Sequence, residues 1–284
     1  MRLLRVGPPD RERPCAVAPD GTVRDVSDWF DDWAGPALDP SFLRAQAVRV
    51  ADEFGRLPQV DIGRERIGPV VQPRQIISMG LNYLRHAKAV GMVVPNEPIV
   101  SSKSIHALAG PADDILIPPG ARKTDWEVEI AVIIGRRAQY LPSIAAAESC
   151  IAGYCTANDI SERSWLLERG GEWIKGKSFE SFAPLGPYLV TPDEVGDPRG
   201  LRLTCHVNGV LMQDDTSRDM IFGFGEIVHY LSQCMVLRPG DAILTGSPAG
   251  MALGRPDQPF LRPGDVVETE IHGLGRQRQL CRQV

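Results

Sequence analysis

Polar and apolar residues alternate at the start of residues 123–135, Lys-Thr-Asp-Trp-Glu-Val-Glu-Ile-Ala-Val-Ile-Ile-Gly, and then give way to an unbroken apolar run. Alternation at period two predicts a strand, and the run that follows predicts that the strand continues with both faces covered. Successive strand side chains point to opposite faces. Glu127 and Glu129 therefore share one face at the mouth of this strand, while Trp126, Val128 and Ile130 take the other.

The remaining pattern predicts short elements separated by many turns. Apolar residues flank Pro19-Asp20-Gly21 in a hairpin signature. Leu43, Ala47, Val50 and Phe54 recur at helical spacing, which predicts a helix over 40–54. Pro58, Gly63, Gly68, Pro69 and Pro73 then punctuate a connection. Further on, Asn82 is positioned to cap a short helix that ends at Gly91 and carries His86 on its second turn. Short helices are expected over 142–150 and over 161–169, the latter with Ser161 as cap and Gly170-Gly171 as stop. A strand follows from Pro184. An amphipathic helix over 224–235 is predicted from Phe224, Ile227, Val228, Leu231 and Met235. The echo Leu-Arg-Pro-Gly-Asp at 237–241 and 261–265 places Pro and Gly at the centre of two type II turns, each leading into a strand.

This frame has chemical consequences. Two carboxylates at a buried mouth drive one of them to protonate unless a cation or a basic group compensates. Asp159, in the polar island Asn-Asp-Ile-Ser at 158–161, is a candidate third ligand. Three carboxylates without Cys or His describe an oxygen-only site for a hard cation such as Mg²⁺. Glu127 and Glu129 on a solvated strand edge would give the same pattern. His86 titrates near neutral pH, although a lone histidine is more often structural. Lys175 and Lys177 fit either a solvated loop face or the binding of an anionic substrate. The loop Thr-Gly-Ser-Pro-Ala-Gly at 245–250 lacks the lysine and spacing of a phosphate-binding loop.

Composition narrows the classes. With 284 residues, 43% hydrophobic and 24% charged, the chain can bury a large core as one large domain or as a large one with a small companion. A net charge of −5 offers no footprint for nucleic acid or an anionic membrane, so neither is expected as a partner. The six cysteines form no C-x-x-C pair and no zinc spacing, and no apolar run approaches the length of a membrane span. A cytoplasmic location is the expectation.

Taken together, several ordered segments resemble the fumarylacetoacetate hydrolase family over roughly residues 73–280. They are Gly80-Leu-Asn-Tyr with His86, Lys103, the 125–135 strand, Asn158-Asp-Ile-Ser-Glu-Arg163, Glu168-Arg-Gly-Gly, Lys175-Gly-Lys-Ser-Phe, Pro184-Leu-Gly-Pro, Pro239-Gly-Asp and Thr245-Gly-Ser-Pro. The resemblance implies an α+β, β-rich fold, with a mixed β-sandwich or roll catalytic domain over 73–284 and a small N-terminal α/β domain over 1–72. It also implies a homodimer, and Mg²⁺ or Mn²⁺ held by Glu127, Glu129 and Asp159. His86 would activate water, Lys177 would stabilise developing negative charge, and Lys103, Arg163 and Thr245 would bind a small anionic 2-oxo acid. The reaction expected is hydrolysis of a C–C bond in a 2,4-dioxo acid, an acylpyruvate or a diketo-deoxy sugar acid. The alternatives are decarboxylation, isomerisation or tautomerisation of an oxo-diacid, and a catalytically silent homologue that binds a 2-oxo acid. Two positions depart from the family pattern. Ala89 stands where a Glu orients the histidine, and Leu166 where a Gln is common.

Overall fold

A computed structural model describes all 284 residues. Its central feature is the strand Val128–Ile134, rich in β-branched residues and buried at every position. On one side it pairs antiparallel with Ile151–Asn158, and on the other antiparallel with Ala242–Leu244. Neighbours on both edges and cover on both faces explain why the apolar run has no polar alternation. The predicted strand is interrupted, however: Thr124–Asp125 pairs separately with Ser161–Glu162, and Trp126 and Glu127 lie between. There the Trp126 amide donates to Asp125 Oδ1 and the Glu127 amide to Asn158 Oδ1, both at 2.9 Å, so side-chain oxygens replace the ladder.

These strands belong to a ten-stranded sheet. The N-terminal strands Arg2–Val6, Arg13–Val17 and Val23–Asp25 extend the same sheet, because Leu3 pairs with Leu189 of the strand Leu189–Val190. Leu3, Trp33, Leu38 and Leu43 likewise belong to the same continuous apolar core as the central strands. No break in the sheet marks position 72. A second, five-stranded sheet contains Arg202–Val207, Val210–Thr216, Val266–Ile271, Gly275–Gln283 and Ile115–Ile117. Gln277, buried between the sheets, donates to the carbonyls of Thr156, Pro184 and Gly186 at 3.0–3.2 Å. The architecture is α+β and strand-rich.

The helix expected over 40–54 is Pro40–Glu53, capped by Asp39, which accepts from the Ser41 and Phe42 amides. The amphipathic C-terminal helix is Phe224–Cys234. Both Pro-Gly turns form, with Gly240 at φ +93° and Gly264 at φ +95°, and Asp241 and Asp265 accept from the amides of Arg238 and Arg262. Two caps are corrected. Asn82 does not cap the helix Leu84–Ala89; its amide donates to the carbonyls of Thr245 and Phe222 and its oxygen accepts from Phe222, so long-range partners displace the local one. Ser161 lies in a strand, and the helix Arg163–Leu167 is capped by Glu162. All six cysteines are free thiols. No helix is long and apolar enough to cross a membrane.

Candidate active site

Strand register assembles the acids. Val128 faces Asn158 across the antiparallel pair, so Asp159, one residue beyond, comes level with Glu127 and its amide donates to the Glu127 carbonyl at 2.9 Å. Glu129 follows on the same face as Glu127, as the alternation predicts. Oxygens of Glu127, Glu129 and Asp159 lie within 4.8 Å of one another, and all three residues are buried. The solvated-edge alternative is thereby removed.

Three buried cations meet this cluster. Lys177 Nζ, from the short helix Ile174–Lys177, donates to Asp159 Oδ2 at 2.5 Å, Ser161 Oγ at 3.0 Å and Glu127 Oε2 at 3.1 Å. The Ser161 hydroxyl thus serves Lys177 rather than a helix start. Arg163 donates through Nη2 to Glu127 Oε1 at 2.6 Å and through Nε to Asp125 Oδ2 at 2.9 Å. Lys103 Nζ donates to Asp159 Oδ1 and to the Ile160 carbonyl. Lys103 stands behind Asp159, outside the cavity that the other two cations line. Burial alone would raise the Glu127 carboxyl, yet Arg163 and Lys177 overcome it and hold it at about 2. Burial pulls Lys103 down to about 8 against the attraction of Asp159. Burial also opposes the charge on Lys177, but Asp159 and Glu127 keep its pKa above the ordinary lysine value.

Glu129 differs from the other two acids. Its one hydrogen bond is from the Gly246 amide, at 2.7 Å, and no cation touches it. Burial and then the charges of Asp159 and Glu127 push its pKa well up. A divalent cation among the three carboxylates would relieve this repulsion, and oxygen donors alone suit a hard ion. The residues present therefore fit Mg²⁺ or Mn²⁺.

His86 lines the cavity beside these acids. Its Nδ1 lies 3.2 Å from the Ser247 carbonyl. A carbonyl can only accept, so the proton sits on Nδ1 and Nε2 keeps its lone pair. Burial lowers the histidine pKa, partly opposed by Glu127, which favours the neutral form. The orientation expected from a carboxylate at position 89 is supplied by this carbonyl, while Ala89 itself is exposed. Leu166 is buried and lines the cavity. The Thr245 side chain does not reach the cavity: its hydroxyl donates to the Ile130 carbonyl at 2.8 Å.

Three residues of this assembly were given no role of their own from the sequence. Gln213 accepts from the Val128 amide and donates to Ser247 Oγ and the Pro248 carbonyl, so it ties the 245–250 loop to the Glu127–Glu129 strand. Gly246, at φ +96°, has no room for a side chain, because a Cβ would stand 2.7 Å from that of Asn82. Asp125 accepts from Arg163 and from the amides of Ala252 and Leu253, and so fixes the guanidinium that holds Glu127. Asp125 belongs to the recognised motif, but its role depends on partners more than 35 residues away. Replacing it by Ala leaves Arg163 with a lost counter-charge in a buried site. The expected cost is about 3–5 kcal/mol of stability, read as a fall in the denaturant midpoint.

Known proteins share sequence and fold with this chain. The family model described as fumarylacetoacetate (FAA) hydrolase C-terminal matches residues 75–281. A provisionally designated hydrolase of Burkholderia multivorans is 46% identical over 285 residues, covering 99% of each chain. Among solved structures, 5-carboxymethyl-2-hydroxymuconate delta-isomerase from Mycobacterium smegmatis superposes with a TM-score of 0.79 at 27% identity, covering 100% of this chain and 99% of that one. Maleylpyruvate hydrolase from Sphingobium sp. SYK-6, in complex with manganese (II) ion and pyruvate, superposes with a TM-score of 0.80 at 25% identity, covering 100% of this chain and 99% of that one. With a model matching most of its length and a near-full-length relative at this identity, the chain belongs to the fumarylacetoacetate hydrolase family.

Proposed function

We propose that this protein is a divalent-metal-dependent hydrolase that cleaves a C–C bond in a 2,4-dioxo acid, with Mg²⁺ or Mn²⁺ held by Glu127, Glu129 and Asp159. The observation that supports it best is His86, its Nδ1 at the Ser247 carbonyl, on the wall of a cavity that Glu127, Glu129 and Lys177 also line, with Asp159 beside them in the buried acid triad. When bound, the ion supplies charge stabilisation for the 2-oxo acid as its C–C bond breaks. The chain supplies the rest. His86 takes a proton from water at Nε2, and the water oxygen adds to the carbonyl at C4. The C3–C4 bond then breaks, its electron pair passes towards C3 and the 2-oxo group, and protonation at C3 yields pyruvate and a carboxylic acid. Lys177 stabilises the negative charge that develops, and Arg163 keeps Glu127 ionised.

Replacing Lys177 by Met is expected to lower turnover by about 10²-fold or more, the range for loss of one preorganised charge-stabilising donor. Steady-state kinetics beside thermal unfolding checks this, since the loss of rate should exceed any loss of stability. A second reading is an isomerase, tautomerase or decarboxylase that needs no attacking water; the buried Leu166, which removes a polar group from the cavity wall, favours it. Mass spectrometry of products from the Mg²⁺-loaded protein, given acylpyruvates, oxaloacetate and diketo-deoxy acids, separates the readings. Hydrolysis gives two products that together contain one added water, decarboxylation loses CO₂, and isomerisation leaves the mass unchanged. Binding without turnover would identify a silent homologue.

A further inference from the structure

We propose that the substrate carries an apolar tail and a single carboxylate, so that the site takes alkyl- or aryl-substituted acylpyruvates and rejects 2-oxo diacids and polyhydroxylated sugar acids. This rests on the head-group reading above and concerns the part of the ligand that reading leaves open.

The cavity is sharply divided. Its acids and bases, Glu127, Glu129, Arg163 and Lys177, cluster together at the floor. The rest of the wall is mainly apolar, with Leu81, Val90, Met92, Leu166, Leu167 and Leu253 among its residues. Trp173 closes one side, and its indole occupies the space that a side chain at position 80 would fill. Cations carried by the 163–177 segment are engaged elsewhere. Arg169 stacks over the Trp165 ring at 4.0 Å, Lys175 donates to the Arg169 carbonyl, and Lys177 is bound among the acids. A distal carboxylate would thus enter apolar surroundings without a counter-charge, which is costly, and distal hydroxyls would lose water without gaining partners.

Charge balance at the floor agrees. In the buried network around the floor, Asp125, Glu127 and Asp159 pair with Lys103, Arg163 and Lys177 while Glu129 has no cation of its own, four acids against three bases. A divalent ion makes the assembly singly positive, and one substrate carboxylate neutralises it. A second carboxylate would leave a buried net negative charge. The cavity holds about 140 Å³, close to the ~150 Å³ of an engineered cavity that admits a benzene molecule, so a head the size of pyruvate fills it and the tail must lie along the apolar rim that includes Val90 and Met92.

The decisive pair of probes is 2-oxopentanoate and 2-oxoglutarate, which share a five-carbon chain and differ in the distal carboxylate. Calorimetry on the Mg²⁺-loaded protein should show 2-oxopentanoate binding at least about tenfold tighter. Turnover should follow the same order, alkyl acylpyruvates ahead of carboxylated and hydroxylated 2,4-dioxo acids. Met92, at the mouth and 53% exposed, tolerates a charge without threatening the fold, and Met92→Lys should narrow or reverse the preference. Equal or tighter binding of 2-oxoglutarate by the native protein, or an unchanged preference in Met92→Lys, would overturn the inference while leaving the head-group reading intact. If neither acid binds in a Mg²⁺-dependent way, both fail.

Discussion

Asp159→Asn is expected to abolish turnover and to weaken Mg²⁺ binding by at least about 10–100-fold, the loss recorded when even a supporting residue of a metal site is removed. The substitution keeps the shape of the side chain but replaces one of three anionic donors by a neutral amide, and affinity for a hard cation follows the count of anionic oxygens. Asp159 also receives Lys103 and Lys177, so some loss of stability will accompany the change. Calorimetric titration with Mg²⁺, on protein shown by circular dichroism to be folded, separates the two effects. Glu127→Gln should behave alike, except that Arg163 then also loses a partner. Unchanged Mg²⁺ affinity in both variants would remove the triad as the metal site and with it the proposed chemistry.

His86→Gln is expected to cost about 10²–10⁴-fold in kcat, the usual worth of general-base assistance, with Mg²⁺ affinity unchanged. The native enzyme should also show an acid limb that the variant lacks. Activity requires neutral His86, and burial places its pKa below the ordinary ~6.5, so turnover persists through pH 6.5 and falls as pH drops through the lower folded value. Stability has the same sign. The unfolded chain binds the histidine proton more readily than the folded one, so this contribution is complete above ~6.5 and is lost as pH falls towards the folded value. A native profile rising on acidification, or a variant keeping full activity, would show that His86 is not the base.

What could be read from the sequence was local. Alternation alone placed Glu127 and Glu129 on one face, because a strand has a strict period of two. The helix Pro40–Glu53 and the turns at Gly240 and Gly264 followed from periodicity and from backbone preferences that Pro and Gly carry with them. Asp159 stood out as a candidate ligand in its polar island, and the motif resemblance added roles for Lys103 and Lys177 as expectations. What only the tertiary structure decided is how these groups are shared out. Antiparallel register sets Asp159 level with Glu127, and three cations from separate segments settle on Asp125, Glu127 and Asp159 but leave Glu129 to an amide. Local rules misassigned Asn82 and Ser161 for the same reason: each is a good cap by itself, but a buried partner distant in sequence binds it instead. The Ser247 carbonyl on His86 and the Gln213 brace are invisible to motif reading, since a backbone oxygen carries no residue identity and a glutamine in a strand has no signature. Likewise, Leu3 pairing with Leu189 joins the N-terminal strands to the catalytic sheet, a contact between positions that no window of sequence contains.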